Sequence, residues 1–143
     1  MKTAIATEEP TRLGAIVCTD DAEISAQTCP SLESRGYAVI CEPEGETATL
    51  VFEMFEILEP AYFPEADSCL PKLRISLAIL DLANPFADCI DFLRTIRKYE
   101  DERTHVVLIV NNENERETYA TANPRPDTIL VKPFDIHQLL AAI

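Results

Sequence analysis

Three aspartates and a lysine stand where apolar runs of the chain stop. Asp20 and Asp21 follow LGAIVCT, Asp81 follows LAIL, Asn111 closes VVLIV, and Lys132, with Pro133 and Phe134 behind it, closes TILV. Carboxylates gathered in one place repel, and each makes the others harder to ionise unless a cation joins them. A divalent metal resolves that conflict. An all-oxygen donor set, without organised histidines or cysteines, favours Mg2+, which takes one or two carboxylates, waters and a phosphoryl oxygen. Lys132 would add a positive point charge suited to a transferred anion. If the fold brings these groups together, their chemistry is that of a phosphoryl site.

The elements that must do so are legible as a pattern. Residues 13–18, 37–41, 77–80, 106–110 and 128–131 are near-continuous apolar runs rich in Ile and Val, as parallel strands covered on both faces should be. Between them Leu50, Val51, Met54, Phe55 and Leu58 recur at helical spacing, as do Ile90, Leu93 and Ile96, and finally Ile136, Leu139, Leu140 and Ile143. Weaker helical signals follow Asp21 and Asn112, and Pro30 should kink or restart the first of these helices. Alternating strand and helix predicts an α/β fold: a doubly wound, five-stranded parallel sheet with helices on both faces. In such sheets ligands gather at the carboxyl ends of the strands, where the polar residues above fall.

Composition narrows the function classes. The 143 residues suit one domain, and 47% apolar content suffices for its core. A net charge of −13 repels nucleic-acid phosphates and anionic lipid, and no basic patch offsets it. Cys18, Cys29, Cys41, Cys69 and Cys89 are odd in number and lack CxxC spacing, so they read as reduced core residues of a cytoplasmic protein. No apolar run reaches the ~18 residues of a membrane span, and the start MKTAIATEEPT is unlike a signal peptide. Residues 1–12 read as a tail and 13–143 as the domain. Its anomaly is a proline-rich insertion at about 59–74, where Tyr62 and Phe63 offer an aromatic anchor. The last helix is short and reads as truncated.

In the order TDD (19–21), LDLANPFADCIDFLRTIR (80–97) and VKPF (131–134), the chain resembles the receiver domain of two-component response regulators over nearly its whole length. The resemblance implies a flavodoxin-like sheet of strand order 2-1-3-4-5. It also implies that Asp81 is a phosphoacceptor, loaded by a sensor histidine kinase or a histidine phosphotransfer protein. Asp20 and Asp21, with Asp81 and the carbonyl of Ala83, would hold Mg2+. Lys132 would bond the phosphoryl group, and its peptide bond to Pro133 would be cis. Such a protein is a signalling phosphoacceptor, an enzyme only toward its own phosphorylation and dephosphorylation. Its output would be binding of a second copy or a downstream protein by the face of the fourth helix, fifth strand and fifth helix.

Several residues depart from the family pattern. Asn111 stands where a Thr or Ser usually meets the phosphate, Ile129 where an aromatic switch residue stands, Cys89 where a glycine is common and Asn84 where a methionine is common. These departures motivate a second reading, a degenerate receiver that signals by protein binding without phosphorylation. Simpler roles are open to some of the residues as well. Asp20 and Asp21 suit the N-cap of the first helix, Asn111 and Asn112 that of the fourth, and Asp135 that of the last. His105 and His137 have no ligand-like spacing and read as structural or surface residues. A flavin or nucleotide enzyme on this topology would need a glycine-rich loop after the first strand, which CTDDAE is not.

Overall fold

The structure, a computed structural model, describes residues 11–54, 72–83, 89–98 and 104–143. Tyr62, Phe63, Cys69, Asn84, Pro85, Asp88 and most of the 59–74 segment lie outside the described residues, as do Phe55 and Leu58 of the second apolar stripe. Strand and helix alternate in the order β1 (Thr11–Cys18), α1 (Ala22–Ser34), β2 (Ala38–Cys41), α2 (Gly45–Glu53), β3 (Lys72–Asp81), α3 (Cys89–Lys98), β4 (His105–Val110), α4 (Glu113–Ala120), β5 (Thr128–Val131) and α5 (Ile136–Ala141). All four strand pairings are parallel, and the order is β2-β1-β3-β4-β5. The expected flavodoxin-like sheet is therefore present.

Alternate residues of the strands enter two cores. Ile16, Ala78, Leu80, Leu108 and Val110 meet Ala48 and Phe52 of α2 and Phe92, Leu93 and Ile96 of α3 on one face. Ala15, Val17, Leu77, Ile79, Val107 and Ile109 meet Leu32 of α1 and Leu139 of α5 on the other. In β3 the register slips between Gly14 and Ala15 of its neighbour, leaving Ser76 as an extra residue. Ile75 and Leu77 consequently point into opposite cores although two apart, because a bulge breaks the two-residue period of a strand.

Four expectations need correction. β1 and β3 begin earlier than their apolar runs suggest, at Thr11 and Lys72, so 72–74 belong to the third strand and not to the insertion. Helix α1 runs unbroken through Pro30. The carbonyl of Ala26 loses its usual amide donor there, but Ala26 and Pro30 are both exposed, where water can serve it. On α2 the buried residues are Gly45, Ala48 and Phe52, whereas Leu50 and Met54 of the expected stripe are 57% and 47% exposed. Lastly, Cys29 and Cys41, read as reduced core thiols, form a disulfide between α1 and the end of β2, which are packed side by side.

The amino ends of β4 and β5 are fastened by Arg97 at the close of α3. Its guanidinium donates to the carbonyls of Thr104 at 3.2 Å and Arg125 at 3.0 Å, and pairs with Asp127 at 2.9 Å. Asp127 also accepts the Val106 N–H at 2.8 Å. Burial pushes the Asp127 carboxyl up, but the hydrogen bonds from Arg97 and Val106 and the charges of Arg97 and His105 outweigh it and hold the group below its ordinary value. A depressed folded pKa contributes stability that is present above the unfolded pKa and lost as pH falls through the folded one. Asp127→Asn is thus expected to cost about 1 kcal/mol at neutral pH, discounted for exposure. Urea midpoints of variant and parent should converge below about pH 4; a gap independent of pH would assign the effect to something other than the charge.

Candidate functional site

The parallel register sets Cys18 of β1 beside Leu80 of β3, so the next residues, Thr19 and Asp81, are neighbours at the carboxyl edge of the sheet. Asp81 is 1% exposed. Three donors hold its carboxylate. The Thr19 hydroxyl donates to Oδ2 at 2.6 Å, the Ala83 N–H donates to Oδ1 at 3.1 Å, and the Lys132 ammonium lies 3.1 Å from Oδ1. Lys132 is delivered by the sheet itself: its N–H donates to the Val110 carbonyl at 2.9 Å, extending the β4–β5 ladder one step past Val131. The peptide bond from Lys132 to Pro133 is cis, as the resemblance implied.

The negative charge of Asp81 is felt nearby. Burial, with the charges of Glu42 and Asp81 added, pushes the Cys18 thiol up to about 12. Cys89, where a glycine is common in receivers, lies buried and donates its thiol to the Asp81 carbonyl at 3.4 Å.

The acidic pair divides. Asp21 is the N-cap of α1: its Oδ1 accepts the N–H groups of Glu23 at 2.9 Å and Ile24 at 3.3 Å, the simpler of the two roles open to it. Asp20 is exposed, and its carboxylate has no hydrogen bond or ion pair with a described residue. Among the described residues no three His, Cys, Asp or Glu side chains converge as a ligand set. Of the residues that the resemblance implies for the metal, Asp20, Asp81 and the Ala83 carbonyl would offer hard oxygen donors of the kind that suit Mg2+, with waters filling the remaining positions. That chemistry fits with Asp20 more readily than with Asp21, one oxygen of which is already committed to the helix.

Asn111 is not joined to Asp81 either. Its N–H donates to Glu115 Oε1 at 2.7 Å, its amide side chain reaches Glu115 Oε2 at 3.5 Å, and Asn112 caps α4 by accepting the Glu115 N–H at 2.9 Å. Ile129 is half-buried against the core below α2 and α3. Asp135 forms a capping box with Gln138, and the His105 ring nitrogen lies 2.9 Å from the Ala142 carbonyl, a structural role as read. The sequence reading overlooked Thr19. Its hydroxyl accepts the Asp21 N–H at 3.1 Å while donating to Asp81, so one side chain links the start of α1 to the buried carboxylate. Its place directly opposite Asp81 in register was the signal that could have found it.

The fold superposes over about nine-tenths of the chain on solved receiver domains. A signal receiver domain of a response regulator from Bermanella marisrubri is 21% identical, with 90% of this chain and 92% of that one covered and a TM-score of 0.63. The receiver domain of the Francisella response regulator 1452 is 21% identical over 90% of each chain, with a TM-score of 0.60. A CheY-like receiver from Methanospirillum hungatei is 19% identical over 92% of this chain and 89% of its own, with a TM-score of 0.59. The chain has the receiver-domain fold. No family model matches the sequence, and neither does any curated protein. What the receiver fold establishes here is architecture, with Asp81 and Lys132 at the carboxyl edge of its sheet.

Proposed function

We propose that this receiver fold works as a phosphoacceptor in two-component signalling. The observation that carries the reading is the buried Asp81 carboxylate held between the Lys132 ammonium and the Thr19 hydroxyl at the carboxyl end of a parallel sheet. In this reading a carboxylate oxygen of Asp81 attacks the phosphorus of a phosphohistidine on a sensor kinase or phosphotransfer protein. The P–N bond breaks, the imidazole leaves, and Asp81 becomes an acyl phosphate. Lys132 and the Thr19 hydroxyl supply positive charge and a hydrogen bond beside the transferring group, so no reorganisation is needed as charge develops. Mg2+, held by Asp20, Asp81 and the Ala83 carbonyl, would neutralise the phosphoryl oxygens when bound. Asp21 keeps α1 in register, and phosphorylation favours one state of a pre-existing equilibrium read by partners at α4, β5 and α5.

The test is an intact-mass measurement after incubation with a small acyl phosphate and Mg2+. One phosphoryl adduct is expected on the parent chain and none on Asp81→Asn; an adduct that survives Asp81→Asn, or none on either, rejects the reading.

The second reading, a receiver fold that signals by protein contact without phosphorylation, draws on Asn111. Its side chain is engaged with Glu115 of α4 rather than with Asp81. That reading expects partner binding to be indifferent to Asp81→Asn.

No helix among the described residues is long and apolar enough to cross a membrane.

A further inference from the structure

We infer that Cys29 and Cys41 are a redox-active pair, a dithiol that an uncharged hydroperoxide oxidises to the disulfide and a thiol reductant reopens in the folded protein. This goes beyond the phosphoacceptor reading and does not rest on it.

The two residues are 12 apart in sequence and are joined between the middle of α1 and the last residue of β2, a strand at the edge of the sheet. Cys41 is exposed and Cys29 half-buried. Both line one open surface cleft, about 660 Å3 in volume, with Thr19, Asp20, Pro30 and Pro43. Small solutes can therefore reach either sulfur. The other two described cysteines contrast with them: Cys18 and Cys89 are both buried and neither is part of a disulfide. Since a thiol must be reached by its oxidant, the buried cysteines are shielded and the cleft pair is the reactive one. A net charge of −13 repels anionic disulfide oxidants but not a neutral peroxide, which selects the class of oxidant.

In the first step the thiolate of Cys41, the more exposed residue, attacks one peroxide oxygen. The O–O bond breaks, the alcohol or water leaves with a proton, and Cys41 becomes a sulfenic acid. Cys29 then attacks that sulfur; the S–S bond forms, and hydroxide leaves as water with the Cys29 proton. The two electrons lost by the pair reduce the peroxide. The resulting bridge ties α1, whose first turn adjoins Asp20, to the edge of the sheet.

The experiment uses the full chain carrying Cys69→Ser, so that only described cysteines remain. After reduction, hydrogen peroxide should lower the mass by two hydrogens and yield a linked Cys29–Cys41 peptide. Dithiothreitol should reverse this without denaturant, and the oxidised form should melt about 5–10 °C higher. Cys29→Ser and Cys41→Ser should fold like the reduced parent and show neither change. The inference is overturned if peroxide leaves both thiols free, carries Cys41 to the sulfinic acid or joins two chains. A bridge that dithiothreitol opens only after unfolding overturns it too.

Discussion

Lys132→Ala is expected to slow phosphoryl capture by Asp81 about 100-fold or more, with the protein still folded. The ammonium is the one full positive charge at hydrogen-bond distance from the Asp81 carboxylate among the described residues. A fixed charge aimed at the transferring group acts on the transition state, where removing a single preorganised donor typically costs about 100- to 1,000-fold. The folding cost is smaller. Lys132 is 25% exposed and Asp81 keeps the Thr19 hydroxyl and the Ala83 N–H, so about 1–2 kcal/mol is expected rather than the full penalty of an orphaned buried charge. A time course of adduct formation by intact mass, run beside a urea titration, separates the two effects. An undiminished rate in a folded variant would remove Lys132 from the mechanism.

Phe92→Ala should be the most destabilising change in the core described here, at about 3–5 kcal/mol, with Tm lower by roughly 10 °C or more. Phe92 is fully buried and meets Phe52 of α2 edge to face, with ring centroids 6.2 Å apart and planes at 73°. Truncation leaves a void between α2, α3 and the sheet, and it also removes an aromatic pair geometry worth ~1 kcal/mol beyond its buried area. Thermal melts followed by circular dichroism check the size of the effect. A loss below about 1 kcal/mol would mean that the face collapses around the gap.

Much of the architecture was legible because parallel strands buried on both faces must be apolar throughout. VVLIV is β4 without further argument, and TILV is β5. The position of Asp81 followed from the same logic, since a carboxylate ending such a run has to sit at the rim. What escaped were properties set by three-dimensional neighbours. Leu50 and Val51 carry equal weight in a helical count, yet the packing of Phe52 on Phe92 turns Leu50 to solvent. Arg74 and Lys72 hid the beginning of β3, because strand pairing with Thr11 and Leu13 needs backbone groups rather than apolar side chains. The Cys29–Cys41 bridge depends on α1 lying beside β2, which no spacing announces. At the site, residue types left Asp21 open between helix cap and metal ligand and gave Thr19 no role; the hydrogen bonds of the two side chains show the cap and the link to the carboxylate.

Both margins of the sheet are strands of only four residues, β2 and β5. An unpaired ladder that short is a poor template for another polypeptide to zip onto, so strand-to-strand polymerisation is suppressed by geometry before charge is considered. Contacts made through helical surfaces, by contrast, can form and dissolve without competing with the hydrogen-bonded sheet.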